Sequence, residues 1–260
     1  MQSIIKVAHR GGAGLAPENT LASFTVGIGE KADALELDVH LSRDGELVVI
    51  HDPVLARTTN AAGEVGDRTF AELRTLDASA RWFGPPVGRQ LIPTLQEVVD
   101  LAKGRASLQV EIKVKADGSR YPGIESKVVE TLRKNAMVDE TIILSFDFPT
   151  LVTIRGMEPR LRTCALISRA YLVSVSKRGP AAVAGEIAAL GAAFAGVDKS
   201  WLTEPLYKEL RSRGLGVGVW TVDDPADMKR FAAMGVDFIT SNRPDLLREA
   251  LASTGGSAGP

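Results

Sequence analysis

Short apolar runs rich in β-branched residues alternate along this chain with longer segments whose apolar positions recur at helical spacing. Alternation of that kind builds βα units around a parallel sheet. Eight runs read as strands: 4–9, 34–41, 107–113, 141–146, 162–167, 193–198, 216–222 and 237–240. Eight is the number at which such a sheet closes on itself, so the pattern predicts an α/β fold of the (β/α)8 TIM-barrel type.

A ninth strand-like run, 47–51, follows the second strand after only the turn signal Asp44-Gly45. A parallel neighbour needs a crossover of a dozen or more residues, so this run must return antiparallel as a hairpin arm near the barrel mouth. A two-residue loop would pair Asp38 with His51, and a four-residue loop would pair Glu36 with His51. Either places His51 on one face with both acids; an odd-length loop or a bulge turns it away.

Helix signals fill the intervals. Thr94-Leu95-Gln96-Glu97 is a capping box after Pro93, Gly104 can end that helix, and Asn19 is read as the cap of a helix ending near Ile28. Residues 53–92 form an insertion after the second strand with one helical piece at 70–76, a candidate substrate-facing lobe. The barrel is expected over 1–251, with 252–260 a disordered tail.

Composition narrows the class. With 45% hydrophobic and 24% charged residues, 260 residues suit one globular unit with a sizeable core. A net charge of −1 provides no general field for nucleic acid or an anionic membrane, so attraction for a phosphate must be local. The lone Cys164 sits in an apolar strand and reads as a core residue. The start of the chain runs almost at once into a strand without a leader pattern, and no apolar stretch reaches the length of a membrane span. These features predict a cytoplasmic protein with no integral membrane association and no nucleic-acid partner.

Candidate chemistry concentrates at strand ends. Glu36-Leu37-Asp38 alternates acid and apolar residues, which turns both carboxylates inward. Glu111 and Lys113 repeat the device on the next barrel strand, where they can pair with each other or join the first two acids. A closed barrel has no solvated edge strand, so inward carboxylates at its mouth need a cation. Three of them beside Arg10 and Lys113 suit a hard divalent ion bound through oxygen and a phosphate held by the two basic groups. His9 ends the first strand, ahead of a glycine-rich stretch, 11–14, that offers amides to an anion. A histidine at a strand end is by itself an ordinary hydrogen-bonding residue. His40 reads as a peripheral polar side chain outside the catalytic set.

These residues in this order resemble the glycerophosphodiester phosphodiesterase family: His9-Arg10-Gly11, Pro17-Glu18-Asn19-Thr20, Glu36-Leu37-Asp38-Val39, Asp44-Gly45, His51-Asp52, Ile92-Pro93-Thr94-Leu95, Glu111-Ile112-Lys113, Ser145-Phe146 and Trp220-Thr221-Val222. The resemblance implies a barrel in which Glu36, Asp38 and Glu111 bind Mg²⁺ or Ca²⁺, His9 and His51 act as acid and base, and Arg10 and Lys113 hold the phosphate of a small-molecule glycerophosphodiester. It puts Phe146 and Trp220 against the glycerol side, with core packing as the alternative for each. Glu18 matches a common family residue but also suits a helix start. Ser241-Asn242 departs slightly from the family pattern and is expected not to touch the catalytic set. The alternatives are a lysophospholipase D or cyclising phospholipase on the same barrel, and a binding barrel without catalysis.

Overall fold

The computed structural model describes residues 4–175 and 178–252; the expected tail falls outside them apart from its first residue. Nine strands form one sheet: β1 (Ile5–Ala8), β2 (Ala34–Leu41), β3 (Leu47–Val49), β4 (Ser107–Ile112), β5 (Thr141–Ser145), β6 (Arg162–Ile167), β7 (Phe194–Asp198), β8 (Gly216–Trp220) and β9 (Phe238–Ser241). The order β1-β9-β8-β7-β6-β5-β4-β2 is closed by parallel pairing of Val7 with Ala34 and Ala8 with Leu35. This is the eight-stranded barrel the apolar pattern predicts.

Helices fill the crossovers. They are α1 (Leu21–Gly29), α2 (Phe70–Leu73), α3 (Leu95–Ala102), α4 (Ile124–Lys134), α5 (Phe148–Met157), α6 (Arg169–Val175), α7 (Gly179–Ala189), α8 (Glu204–Ser212), α9 (Pro225–Met234) and α10 (Pro244–Ala252). The cap of α1 is Thr20, whose hydroxyl accepts from the Ser23 amide while Ser23 Oγ accepts from the Thr20 amide. Asn19 is therefore released from the capping role expected of it. In the insertion, α2 is shorter than the piece expected, and Leu55, Val65, Leu73 and Ile92 make a small apolar cluster with Val48 and Ile50.

Strand periodicity sorts the side chains into two layers. Leu35, Leu37 and Val39 of β2 and Leu108, Val110 and Ile112 of β4 face the helices in the main core. Val7, Ala34, Ile142, Leu144, Cys164, Leu166 and Phe238 fill the barrel interior, where Cys164 is fully buried as expected. Gly218 makes room there, since a Cβ on it would stand 1.9 Å from the Phe238 ring. Continuing each inward series past the apolar plug brings polar residues to the carboxyl-terminal rim, the face where barrels of this type build their sites.

The hairpin arm differs from both expected registers. Val39 pairs with Val49, His40 with Val48 and Leu41 with Leu47, which leaves a three-residue loop, Arg43-Asp44-Gly45. The loop is locked by Ser42, whose hydroxyl donates to Asp44 Oδ1 at 2.6 Å and accepts from the Glu46 amide at 2.8 Å, with Gly45 at φ +85°. A turn ending in one left-handed residue is the usual way to close an odd-length hairpin.

Candidate active site

Glu36, Asp38 and Glu111 are all buried, and each offers a carboxylate oxygen within 4.8 Å of the others. Asp38 and Glu111 are direct partners across the β2–β4 ladder, so the inward alternation read from sequence brings them together. At an effective dielectric of about 20, two like charges 4 Å apart repel by roughly 4 kcal/mol, so the triad requires cations to stay ionised. Lys113 supplies one, with Nζ 2.9 Å from Asp38 Oδ1 and 2.6 Å from Glu111 Oε1. Arg10 supplies another: its amide donates to Glu36 Oε2 at 2.9 Å, and its Nε lies 3.5 Å from Asp38 Oδ2. Asn19 Nδ2 donates to Asp38 Oδ2 at 2.8 Å, the use to which its side chain is put in place of capping.

Those partners do not satisfy all three acids. Burial tends to raise Asp38, but Lys113 and Arg10 outweigh it and hold this carboxyl below the usual range. Burial together with Asp38 and Glu111 holds Glu36 well above it, and burial pushes Glu111 up to about 7 despite Lys113. With every carboxyl ionised and both histidines neutral, Glu18, Glu36, Asp38, Asp52 and Glu111 would outnumber Arg10, Arg57 and Lys113 by two. The surplus of two negative charges equals the charge of one divalent cation. An oxygen-only donor set suits such a hard ion.

Two histidines flank the triad, each anchored through Nδ1. His9 Nδ1 lies 2.6 Å from Asn242 Oδ1, and its Nε2 lies 3.9 Å from Glu36 Oε2. The Asn242 amide nitrogens both donate to Asp223 at 2.8 Å, so Oδ1 is left to accept and His9 Nδ1 carries the proton. Asn242 thus touches His9, contrary to the expectation from sequence; the sign available was that 242 continues the inward series of β9. Burial, followed by the Arg10 charge, lowers His9 to about 4. His51 Nδ1 lies 2.6 Å from Asp52 Oδ1, and Arg57 pairs with both Asp52 and Glu18. Burial lowers His51 as well, with Asp38 opposing and Lys113 and Arg10 assisting. Glu18, which suited a helix start, instead bridges Arg10 at 2.9 Å and Arg57 at 2.6 Å.

The remaining candidates divide. Phe146, 42% exposed, and Trp220 meet edge to face at 5.6 Å across the mouth. A cleft of about 430 Å³ runs between His51, Glu111, Lys113 and Phe146. A larger concavity of about 750 Å³, at the opposite end of the barrel by Lys31, Lys103 and Arg105, holds no comparable cluster. Three amides of the glycine-rich stretch are committed within the protein rather than presented to a ligand. Gly12 and Ala13 donate to the His9 carbonyl and Gly14 to that of Asn242. His40 is fully buried, not peripheral, and lies between Tyr121 and the His51 carbonyl.

Fold and site together define a (β/α)8 enzyme with an acidic mouth, whose carboxylates could hold a metal ion, between two anchored imidazoles. The glycerophosphoryl diester phosphodiesterase family matches residues 9–246. A glycerophosphodiester phosphodiesterase of Bacillus subtilis (strain 168) is 35% identical over 95% of this chain and 86% of the relative. The crystal structure of a glycerophosphodiester phosphodiesterase from Agrobacterium tumefaciens str. C58 has a TM-score of 0.78 at 30% identity, covering 95% of this chain and 100% of that one. An Oleispira antarctica phosphodiesterase, solved in complex with the product sn-glycerol-3-phosphate, has a TM-score of 0.80 at 27% identity and covers 95% and 96% of the two chains. The chain belongs to the glycerophosphoryl diester phosphodiesterase family. Among the described residues no helix is long and apolar enough to cross a membrane.

Proposed function

We propose that this chain hydrolyses water-soluble glycerophosphodiesters to an alcohol and glycerol 3-phosphate, using one divalent cation, Mg²⁺ or Ca²⁺, held by Glu36, Asp38 and Glu111. The observation that carries the reading is the buried carboxylate triad, three acids that could hold a metal ion, set between two histidines that are both tied through Nδ1. When bound, the cation neutralises phosphate oxygens and polarises the phosphorus centre. Arg10 and Lys113, already at the triad, add positive charge where the transition state gains negative charge.

Anchoring Nδ1 leaves Nε2 of each imidazole for proton transfer. His9 leans on the neutral Asn242 amide, which does little to favour an imidazolium, so Nε2 keeps its lone pair and takes the proton from the attacking oxygen. His51 leans on the Asp52 carboxylate, which favours the protonated ring against the burial that lowers it, and this bias assigns His51 the delivery of a proton to the leaving alkoxide as the phosphorus–oxygen bond breaks. The products are the same whether water attacks directly or the adjacent glycerol hydroxyl first forms a cyclic phosphate that water opens. Phe146 and Trp220 offer an apolar wall to the glycerol carbons.

Chelation is expected to abolish turnover, and Mg²⁺ or Ca²⁺ to restore it; full activity in metal-stripped protein would sink the reading. Phe83, 96% exposed at the tip of the insertion beside Trp82, is the feature that favours a lysolipid substrate instead. Specificity constants for glycerophosphocholine, glycerophosphoethanolamine and lysophosphatidylcholine below its micelle concentration separate the two: the first two should exceed the third.

A further inference from the structure

We infer that His40 is a positioning residue for His51, and that its grip on the His51 main chain turns that side chain toward the carboxylates. The inference rests on the reading of His51 as a catalytic group.

The argument begins with the hairpin register. Because the loop has three residues, Val49 pairs with Val39, and both belong to the core between sheet and helices. Strict alternation would send His51 the same way as Val49, away from Asp38. His51 nevertheless lines the cleft with Glu111 and Lys113. The ladder ends at Val49, the Ile50 amide still donates to the Asp38 carbonyl at 3.0 Å, and the chain bends at His51. A bend that breaks alternation leaves main-chain groups without ladder partners, and buried ones must find others.

His40 meets that need. It stands on the inward face of β2, two residues beyond Asp38, and its Nε2 lies 3.1 Å from the His51 carbonyl oxygen. A carbonyl only accepts, so Nε2 carries the ring proton and Nδ1 accepts from the Tyr121 hydroxyl at 3.0 Å. The two rings also meet edge to face at 5.6 Å. Both ring nitrogens are thereby committed in the neutral form, which removes His40 from proton transfer and makes it a strut between the loop before α4 and the bend at His51. Asp52 then orients the His51 ring, while His40 sets where its backbone lies.

The test uses the full chain with saturating Mg²⁺ and glycerophosphocholine. His40→Leu removes both hydrogen bonds, and His40→Asn places its amide short of the His51 carbonyl. His40→Gln can reach the carbonyl with its amide nitrogen while its oxygen faces Tyr121. Misplacing a catalytic group by about 1 Å costs on the order of 10²-fold, so Leu and Asn should lower kcat roughly 10- to 100-fold with KM within about twofold. Mg²⁺ affinity should be unchanged and Gln should recover most of the rate. In a His51→Ala background, His40→Leu should have little further effect, because the two act as one unit. Wild-type kcat in both Leu and Asn, failure of Gln to rescue, or a full multiplicative loss in the His51→Ala background would overturn the inference. If His40→Leu does not fold, the Asn and Gln pair decides. His51→Ala at wild-type rate would instead remove the reading of His51 on which the inference rests.

Discussion

The two arms that reach over the carboxylate triad are built differently. His9 follows the end of β1, inside the barrel, and is held by Asn242, a rim residue that follows the neighbouring strand β9. His51 sits on a hairpin arm outside the barrel ladder and is held by its own neighbour Asp52, which Arg57 steadies against Glu18. The first imidazole is fixed by the fold's most regular feature, the second by a bend and a network of side chains. The chemistry of the anchors differs too, a neutral amide against a carboxylate, and a hydrogen bond to an ionised partner is roughly twice as strong as one between neutral groups. In the proposed mechanism one ring starts neutral and one protonated, and the anchors bias the two in those directions while burial lowers both.

Removing the rings tests this contrast most severely. His9→Ala and His51→Ala are each expected to cost about 10²- to 10⁴-fold in kcat, with the double variant losing less than the product of the two. A nitrophenyl diester, whose leaving group needs little protonation, should rescue His51→Ala but not His9→Ala. The reverse pattern would exchange the roles, and equal rescue would erase the division.

Changing the anchors should give smaller and unequal losses. A hydrogen bond to a charged partner contributes about 1.5–3 kcal/mol and a neutral one about 0.5–1.5, so Asp52→Ala should lower kcat by roughly 10² and Asn242→Ala by roughly tenfold. Equal losses would mean that anchor charge does not matter. In the metal-free protein nitrogen NMR tests the state of the first ring. His9, lowered to about 4 chiefly by burial, should keep a neutral, Nδ1-protonated ring as the pH falls below the ordinary histidine range. Protonation of His9 near pH 6.5 would contradict it.

The smallest effect concerns the triad between the arms. With Glu36 held well above the ordinary range and Glu111 raised to about 7, metal uptake at lower pH must displace protons that ordinary glutamates would already have released. Mg²⁺ affinity should therefore fall as the pH drops below about 7, by up to about tenfold per unit for each displaced proton. Calorimetry in buffers of different ionisation enthalpy would register the released proton, and an affinity independent of pH would contradict the raised carboxyl.

Much of the site was legible because strand alternation is local. Glu36 and Asp38, like Glu111 and Lys113, face inward together whatever else the barrel does. Their burial and mutual approach follow once β2 and β4 are neighbours. The family motifs named His9 and His51 for the same reason: they stand at strand ends that spacing identifies. The hairpin was harder. Asp44-Gly45 signals a turn, but the hydrogen bonds of Ser42 make the loop three residues long, and one residue reverses every facing in the arm.

From sequence alone the periodicity determined the barrel, the inward acids and the burial of Cys164, since each depends on contacts between residues a few positions apart or on the two-residue repeat of a strand. Tertiary structure decided the partners. Asn242 meets His9 across 233 positions, Tyr121 meets His40 across 81, and Arg57 meets Glu18 across 39. No local pattern encodes such distances. They follow from barrel closure and from the path of the loops over its rim, which bring remote side chains within hydrogen-bonding reach.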